Sequence, residues 1–269
     1  MTYDAPSCAY CPPNVQACRQ GESAEQGPGF CPTKVDQPGI DSACAHYDDL
    51  KVRHIAQVSA VVEGEGYCRW TRVEEACQFA KRMGFKKIGI AHCISFVDEA
   101  LVMSQILESH GFEVASVACK HGGIAKEEIG LSDEQKIRPG GHESMCNPVS
   151  QAELLNRTGC EFNLVMGLCI GHDSLFIKYS EGLVSTLVTK DRVLAHNPIG
   201  ALHLADTYFD RVWGPARPQK SPSFLSRDGV RWAVPRKTLY SLEAVLSKFW
   251  LPTRPAFGLS FTDCNFNHP

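Results

Sequence analysis

The stretch "KKIGIAHC", Lys86–Cys93, decides the fold. It is a short, continuous apolar run, the pattern of a strand buried on both faces of a parallel sheet, and it ends in a thiol. Two later stretches repeat the plan. "FEVASVACK" reaches Cys119, and "EFNLVMGLC" ends in Cys169. A fourth thiol, Cys146, stands in "MCNP", just before a helix that Asn147 can cap and Pro148 can open. A parallel sheet sets such strand ends side by side, and ligands bind along that edge. These four thiols are therefore expected to converge on one metal or iron–sulfur site.

The elements around this core alternate. Apolar spacing predicts helices over residues 48–65 and Arg72–Met83, the second stopped by Gly84. Cys77 falls on the core face of the second. After Cys93, Ser95 and Asp98 resemble a capping box for the next helix, which ends near Gly111. Residues 121–144 form a long polar loop with two Gly pairs. A helix closes at Gly159, then a strand begins after Cys160, whose position at the far end of that strand suggests a structural role. "IGHDSLFIKYS" starts another helix, "GLVSTLVTKDRV" supplies a fourth strand, and "LAHNPIGALHLADTYFDRVW" a final helix. This order predicts an α/β fold, a doubly wound and mostly parallel sheet with right-handed crossovers.

The flanks differ. Residues 1–50 are rich in Gly and Pro, with Cys8, Cys11, Cys18, Cys31 and Cys44. The spacing C-x2-C-x6-C-x12-C suits a tetrahedral zinc site or an iron–sulfur cluster. Cys8, Cys11, Cys18 and Cys31 are the expected ligands, and metal binding would supply folding energy that so loop-rich a segment lacks. Cys44 is surplus, and Cys68 has no assigned role. Residues 51–213 form the α/β domain, and 214–269 a linker with a C-terminal extension. That extension contains one amphipathic helical pattern, "KTLYSLEAVLSKFW", and the isolated Cys264.

Composition narrows the function. A net charge of -3 gives no reason to expect nucleic acid or an acidic membrane surface as partner. No apolar run approaches the ~20 residues of a membrane helix, and the N-terminus lacks signal-peptide features, so a cytoplasmic location is expected. Thirteen cysteines, an odd number, suit metal binding or thiol chemistry better than disulfides in a reducing compartment. Helix N-termini favour the thiolate, the metal-binding form, at Cys146 and Cys169. Thiols on separate strand ends can enclose a larger object than a compact knuckle can, which favours an iron–sulfur cluster over zinc.

Polar residues gather at the same edge. His172 and Asp173, tied to Cys169, are the best candidates for proton transfer, and Lys120 could anchor an anionic small molecule. His196 and His203 are weaker candidates. Gly122-Gly123 and Gly140-Gly141 form no phosphate-loop or dinucleotide pattern. A metal-free thiol redox protein is disfavoured, because the α/β part has no C-x2-C pair.

The motifs "RVEEACQFAKRMGFKKIGIAHC", "ACKHGGI", "MCNPVSQAELLN", "GLCIGHDSLFIKYS" and "KDRVLAHNP", with "CAYC" before them, resemble an uncharacterised prokaryotic family of cysteine-rich metal-binding proteins. The resemblance covers about residues 8–213. It implies metal binding and points to Cys93, Cys119, Cys146 and Cys169, but it implies no reaction. In site architecture alone, the arrangement is similar to that of enzymes that hold a cluster by three cysteines and leave one iron open, such as desulfidases and 2-hydroxyacyl dehydratases.

Overall fold

A computed structural model describes residues 8–12, 17–21 and 24–215. The chain divides into two compact units, residues 1–200 and 201–269. The first unit opens with the short helices α1 (Ala17–Gln20), α2 (Pro32–Val35) and α3 (Gln37–Ala45). They lead into α4 (Leu50–Gly66), where the Asp49 carboxylate accepts the N–H groups of Lys51 and Val52. Helix α5 (Arg72–Met83) has the bounds its apolar spacing predicts. A reciprocal Thr71–Glu74 capping box starts it, and Gly84, left-handed at φ 73°, ends it.

The sheet has four strands, β1 (Lys87–His92), β2 (Glu113–Ala118), β3 (Phe162–Met166) and β4 (Leu183–Val188). All neighbours are parallel and the order is β2-β1-β3-β4. The chain moves outward from β1 to β2, then crosses back to β3 on the other side of β1. The carboxyl ends of β1 and β3 therefore flank the point where the winding reverses, the usual ligand crevice of such sheets. Register aligns their ends: His92 stands opposite both Ala118 and Met166.

Helices cover both faces, as a doubly wound fold requires. On one, Cys77 and Ala80 of α5 and Met103 and Leu107 of α6 (Val97–Ser109) pack on Ile88, Ile90 and Leu164. On the other, Leu155 of α7 (Pro148–Arg157) and Phe176 of α8 (His172–Tyr179) pack with Val117 and Val165. Central β1 and β3 are almost wholly buried, whereas edge β4 is half-buried along its length. That explains why the first and third runs read as continuously apolar. Cys77 and Cys160 are both buried away from the thiol edge, as their positions predict, and burial raises both thiols.

Two local expectations are corrected. Ser95 does not cap α6, which starts after a 3-10 turn (Ile94–Phe96) and has Phe96 at its N-cap position. The Ser95 hydroxyl instead donates to Cys93 Sγ and accepts from Lys190 Nζ. The long final helix shrinks to α9 (Ile199–His203). Ala195 and His196 are left-handed, at φ 48° and 65°, and Pro198 disfavours helical backbone at Asn197. A helix starting at Leu194 is therefore blocked. The loop 121–144 is folded rather than loose. It contains 3-10 turns at Lys126–Ile129 and Asp133–Gln135, and an antiparallel bridge joins Ala125 to Ser144. In the second unit, the Trp213 indole donates to Ala205 O at 2.8 Å. The linker and helix expected beyond Pro215, and Cys264, lie outside the described residues.

Leu164, on β3, has no exposed surface. Leu164→Ala is expected to cost about 2–5 kcal/mol in urea unfolding. A loss below about 1 kcal/mol would contradict the packing of β3 at the sheet centre.

Candidate metal centre

Backbone hydrogen bonds bring Cys93, Cys119 and Cys146 together. The Cys93 N–H donates to Met166 O at 3.0 Å, locking the end of β1 to the end of β3. The Cys119 N–H donates to His92 O at 2.8 Å, and the Asn147 N–H donates to Cys119 O at 2.7 Å. The start of α7 is thereby tied to the end of β2, and the Cys146 and Cys119 sulfurs stand 3.7 Å apart. Asn147 caps α7 through Ser150 N, with Pro148 first in the helix, as the motif predicts. Cys169 lies beyond a left-handed Gly167, and its carbonyl accepts the His172 and Asp173 N–H groups as α8 begins.

Gln151, one turn into α7, is fully buried and was not marked by its sequence context. Its amide donates to Val117 O at 2.7 Å and His92 O at 3.3 Å. It thus braces the ends of β2 and β1 from the helix that Cys146 precedes. The available signal was a glutamine on the apolar face of α7, beside Ala152 and one turn before Leu155.

Cations line the same edge. Lys190 Nζ donates to Cys93 Sγ at 3.4 Å, and Arg192 Nη2 donates to Cys169 Sγ at 3.1 Å. The Ile94 N–H points at Cys119 Sγ from 3.4 Å. Hydrogen bonding to Cys119, helped by Ser95 and Lys190, holds the Cys93 thiol at about 4, far below its ordinary 9.0, despite burial. Hydrogen bonding to Cys119, with the charges of Lys120 and His172, brings Cys146 down to about 5. Cys119 lies between two thiolates, and Cys146, Cys93 and burial push it strongly upward. The arrangement therefore favours the thiolate at Cys93 and Cys146 and the protonated thiol at Cys119.

The other expected residues fall on both sides of the line. His172 opens α8, its Nδ1 buried without a hydrogen-bond partner, and its charge reaches Cys146. Lys120 also reaches Cys146, while its Nζ donates to Ser144 O at 2.6 Å. Asp173 accepts from the Ser174 N–H, a bond within its own helix turn. His196 packs on the Phe96 ring at 4.6 Å rather than on a thiol. His203 lies in α9, beyond the thiol edge in the chain.

In the N-terminal segment, Cys11 and Cys31 are half-buried and Cys8 and Cys18 exposed. The Cys11 N–H donates to Cys8 O at 3.0 Å. Burial raises the Cys11 thiol, and so do Cys31, Cys18 and Cys8, so the other three lie within electrostatic reach of Cys11. Cys31 sits at the N-cap position of α2. Burial raises its thiol, but the backbone of Lys34 and Thr33 outweighs that and lowers it overall. Cys44 and Cys68 are exposed. Among the described residues, no three His, Cys, Asp or Glu side chains are focused tightly enough to hold a single ion as they stand.

Residues 31–187 match the model of a family described as "Protein of unknown function (DUF1847)". The chain belongs to that family. The matched region takes in the sheet up to Leu187 of β4 and all four thiols of the α/β edge, but of the N-terminal set only Cys31. The chain is also 50% identical, over 196 residues, to the "Uncharacterized protein MJ0455" of Methanocaldococcus jannaschii, spanning 73% of this chain and 93% of that protein.

In metal-free protein, ultraviolet thiolate absorbance is expected to show two α/β thiolates at neutral pH, lost on acidification through about 5 and about 4. Cys119→Ala should shift both transitions upward, because it removes the donor they share. Thiolates that appear only on alkaline titration would contradict this charge arrangement.

Proposed function

We propose that this protein is an iron–sulfur protein whose cluster is held at the edge of the α/β domain by Cys93, Cys119, Cys146 and Cys169. The observation that carries the reading is the convergence of thiols from separate segments at the switch point between β1 and β3, with Lys190, Arg192 and Lys120 facing them. The donor set fits such a group in its chemistry. Thiolates are soft ligands, and a thiolate-bound centre carries negative charge that these cations would balance. A bound cluster would supply electron transfer or, with one iron open, Lewis-acid chemistry on a small molecule. His172 and Lys120 would then handle protons or an anionic group beside Cys146. Asp173 is retained as a candidate of the same kind. The N-terminal set Cys8, Cys11, Cys18 and Cys31 would hold a second metal, structural or electron-transferring. A reducing cytoplasm suits both sites.

A zinc centre is the second reading, and one distance favours it. Cys119 and Cys146 stand 3.7 Å apart, close to the ~3.8 Å sulfur–sulfur edge of a tetrahedral site with ~2.3 Å zinc–sulfur bonds. In that case the protein stores, senses or delivers metal.

Anaerobic purification followed by iron, zinc and acid-labile sulfide analysis separates the two. Iron with sulfide is expected, with Cys119→Ser losing the α/β share and Cys11→Ser sparing it. Zinc without sulfide would overturn the iron–sulfur reading in favour of the second. Protein without metal, and unchanged by Cys119→Ser, would overturn both.

A further inference from the structure

Residues 190–197 form a tight loop with no evident purpose in the core. The Asp191 carboxylate accepts the N–H groups of Val193 and Leu194, both at 2.9 Å. The His196 N–H donates to Asp191 O at 2.8 Å, and His196 Nδ1 accepts the Asp191 N–H at 3.1 Å. This closure holds Ala195 and His196 left-handed, a conformation that costs a side-chain-bearing residue free energy and persists only where the surroundings enforce it. His196 is held in turn against Phe96, whose ring occupies the space a Cβ at Gly167 would fill.

The strained loop aims two cations at two different sulfurs. Lys190 reaches Cys93, with Ser95 Oγ at 2.6 Å and the Phe96 ring at 4.6 Å fixing its ammonium. Arg192, two residues on and exposed, reaches Cys169. Among the described residues, neither cation pairs with a carboxylate, and the Asp191 carboxylate is occupied by the loop backbone.

We infer that the loop 190–197 is a charge-setting device: it holds Lys190 and Arg192 on the sulfurs of Cys93 and Cys169 so that the centre accepts an electron more readily. The inference rests on the iron–sulfur reading. Hydrogen bonds to cluster sulfurs and nearby positive charge stabilise the more negative, reduced form. One electron enters from an external reductant, no bond is made or broken, and the two cations offset the added charge. Lys190 and Arg192 are positioning residues here and take no part in bond chemistry.

The test is a redox titration of the reconstituted cluster in the full chain, with dithionite as reductant, followed by absorption and electron paramagnetic resonance. Arg192→Gln and Lys190→Met are each expected to make reduction several-fold to tenfold less favourable. A tenfold change is about 59 mV for a one-electron couple. Arg192→Lys and Lys190→Arg keep the charge and should stay near the parent, which a merely structural role would not require. Because Arg192 is exposed, its replacement leaves the fold intact and the titration readable. Charge-removing variants that load a cluster and titrate with the parent would overturn this inference while leaving the iron–sulfur reading standing. A parent that takes up no cluster would remove both.

Discussion

Repulsion between sulfurs is the constraint on which this structure turns. Cys119 and Cys146 stand at 3.7 Å with Cys93 close by, and their thiolates cannot all ionise together without a cation among them. The protein meets that constraint in two ways. It favours the protonated thiol at the central Cys119, and it brings Lys190, Arg192 and Lys120 to the outer sulfurs. Both arrangements would be wasteful in a core that needed only small apolar side chains. A cationic centre relieves the same repulsion more completely, which is the physical reason to read these thiols as ligands.

The backbone makes the convergence. Parallel register sets the ends of β1, β2 and β3 level, and the reversal of winding between β1 and β3 opens the edge there. Hydrogen bonds from Cys93, Cys119 and Asn147, with the Gln151 brace, then fix where each sulfur-bearing segment stops. The folded loop 121–144, clasped by its Ala125–Ser144 bridge and by the bond from Lys120 to Ser144 O, returns the chain from β2 to Cys146.

Much of this was legible in the sequence because burial on both faces leaves a plain signature. The runs ending in Cys93 and Cys169 are continuously apolar since β1 and β3 are central, and Asn147-Pro148 and Gly84 mark helix ends by local chemistry alone. What was not legible depends on tertiary contact. Ser95 has a good local capping pattern, but a lysine 95 residues away claims its hydroxyl. The last helix fails because Ala195 and His196 adopt a strained conformation that no local propensity signals. Nothing local marks Lys190 and Arg192, just after a strand, as partners of two thiols; the fold sets them there. Gln151 was hidden by its place on an apolar helix face. The N-terminal thiols show the reverse case: their spacing suggested a site, and the structure adds only that Cys8, Cys18 and Cys31 each reach Cys11 electrostatically.

The most direct measurement is a crystal structure of anaerobically prepared protein with anomalous data collected on either side of the iron edge. The expected result is an iron anomalous peak bonded to the sulfurs of Cys93, Cys119 and Cys146, with Cys169 as the fourth ligand or beside an open iron. Iron-free density at that edge, with the four thiols occupied by zinc or by one another, would contradict it.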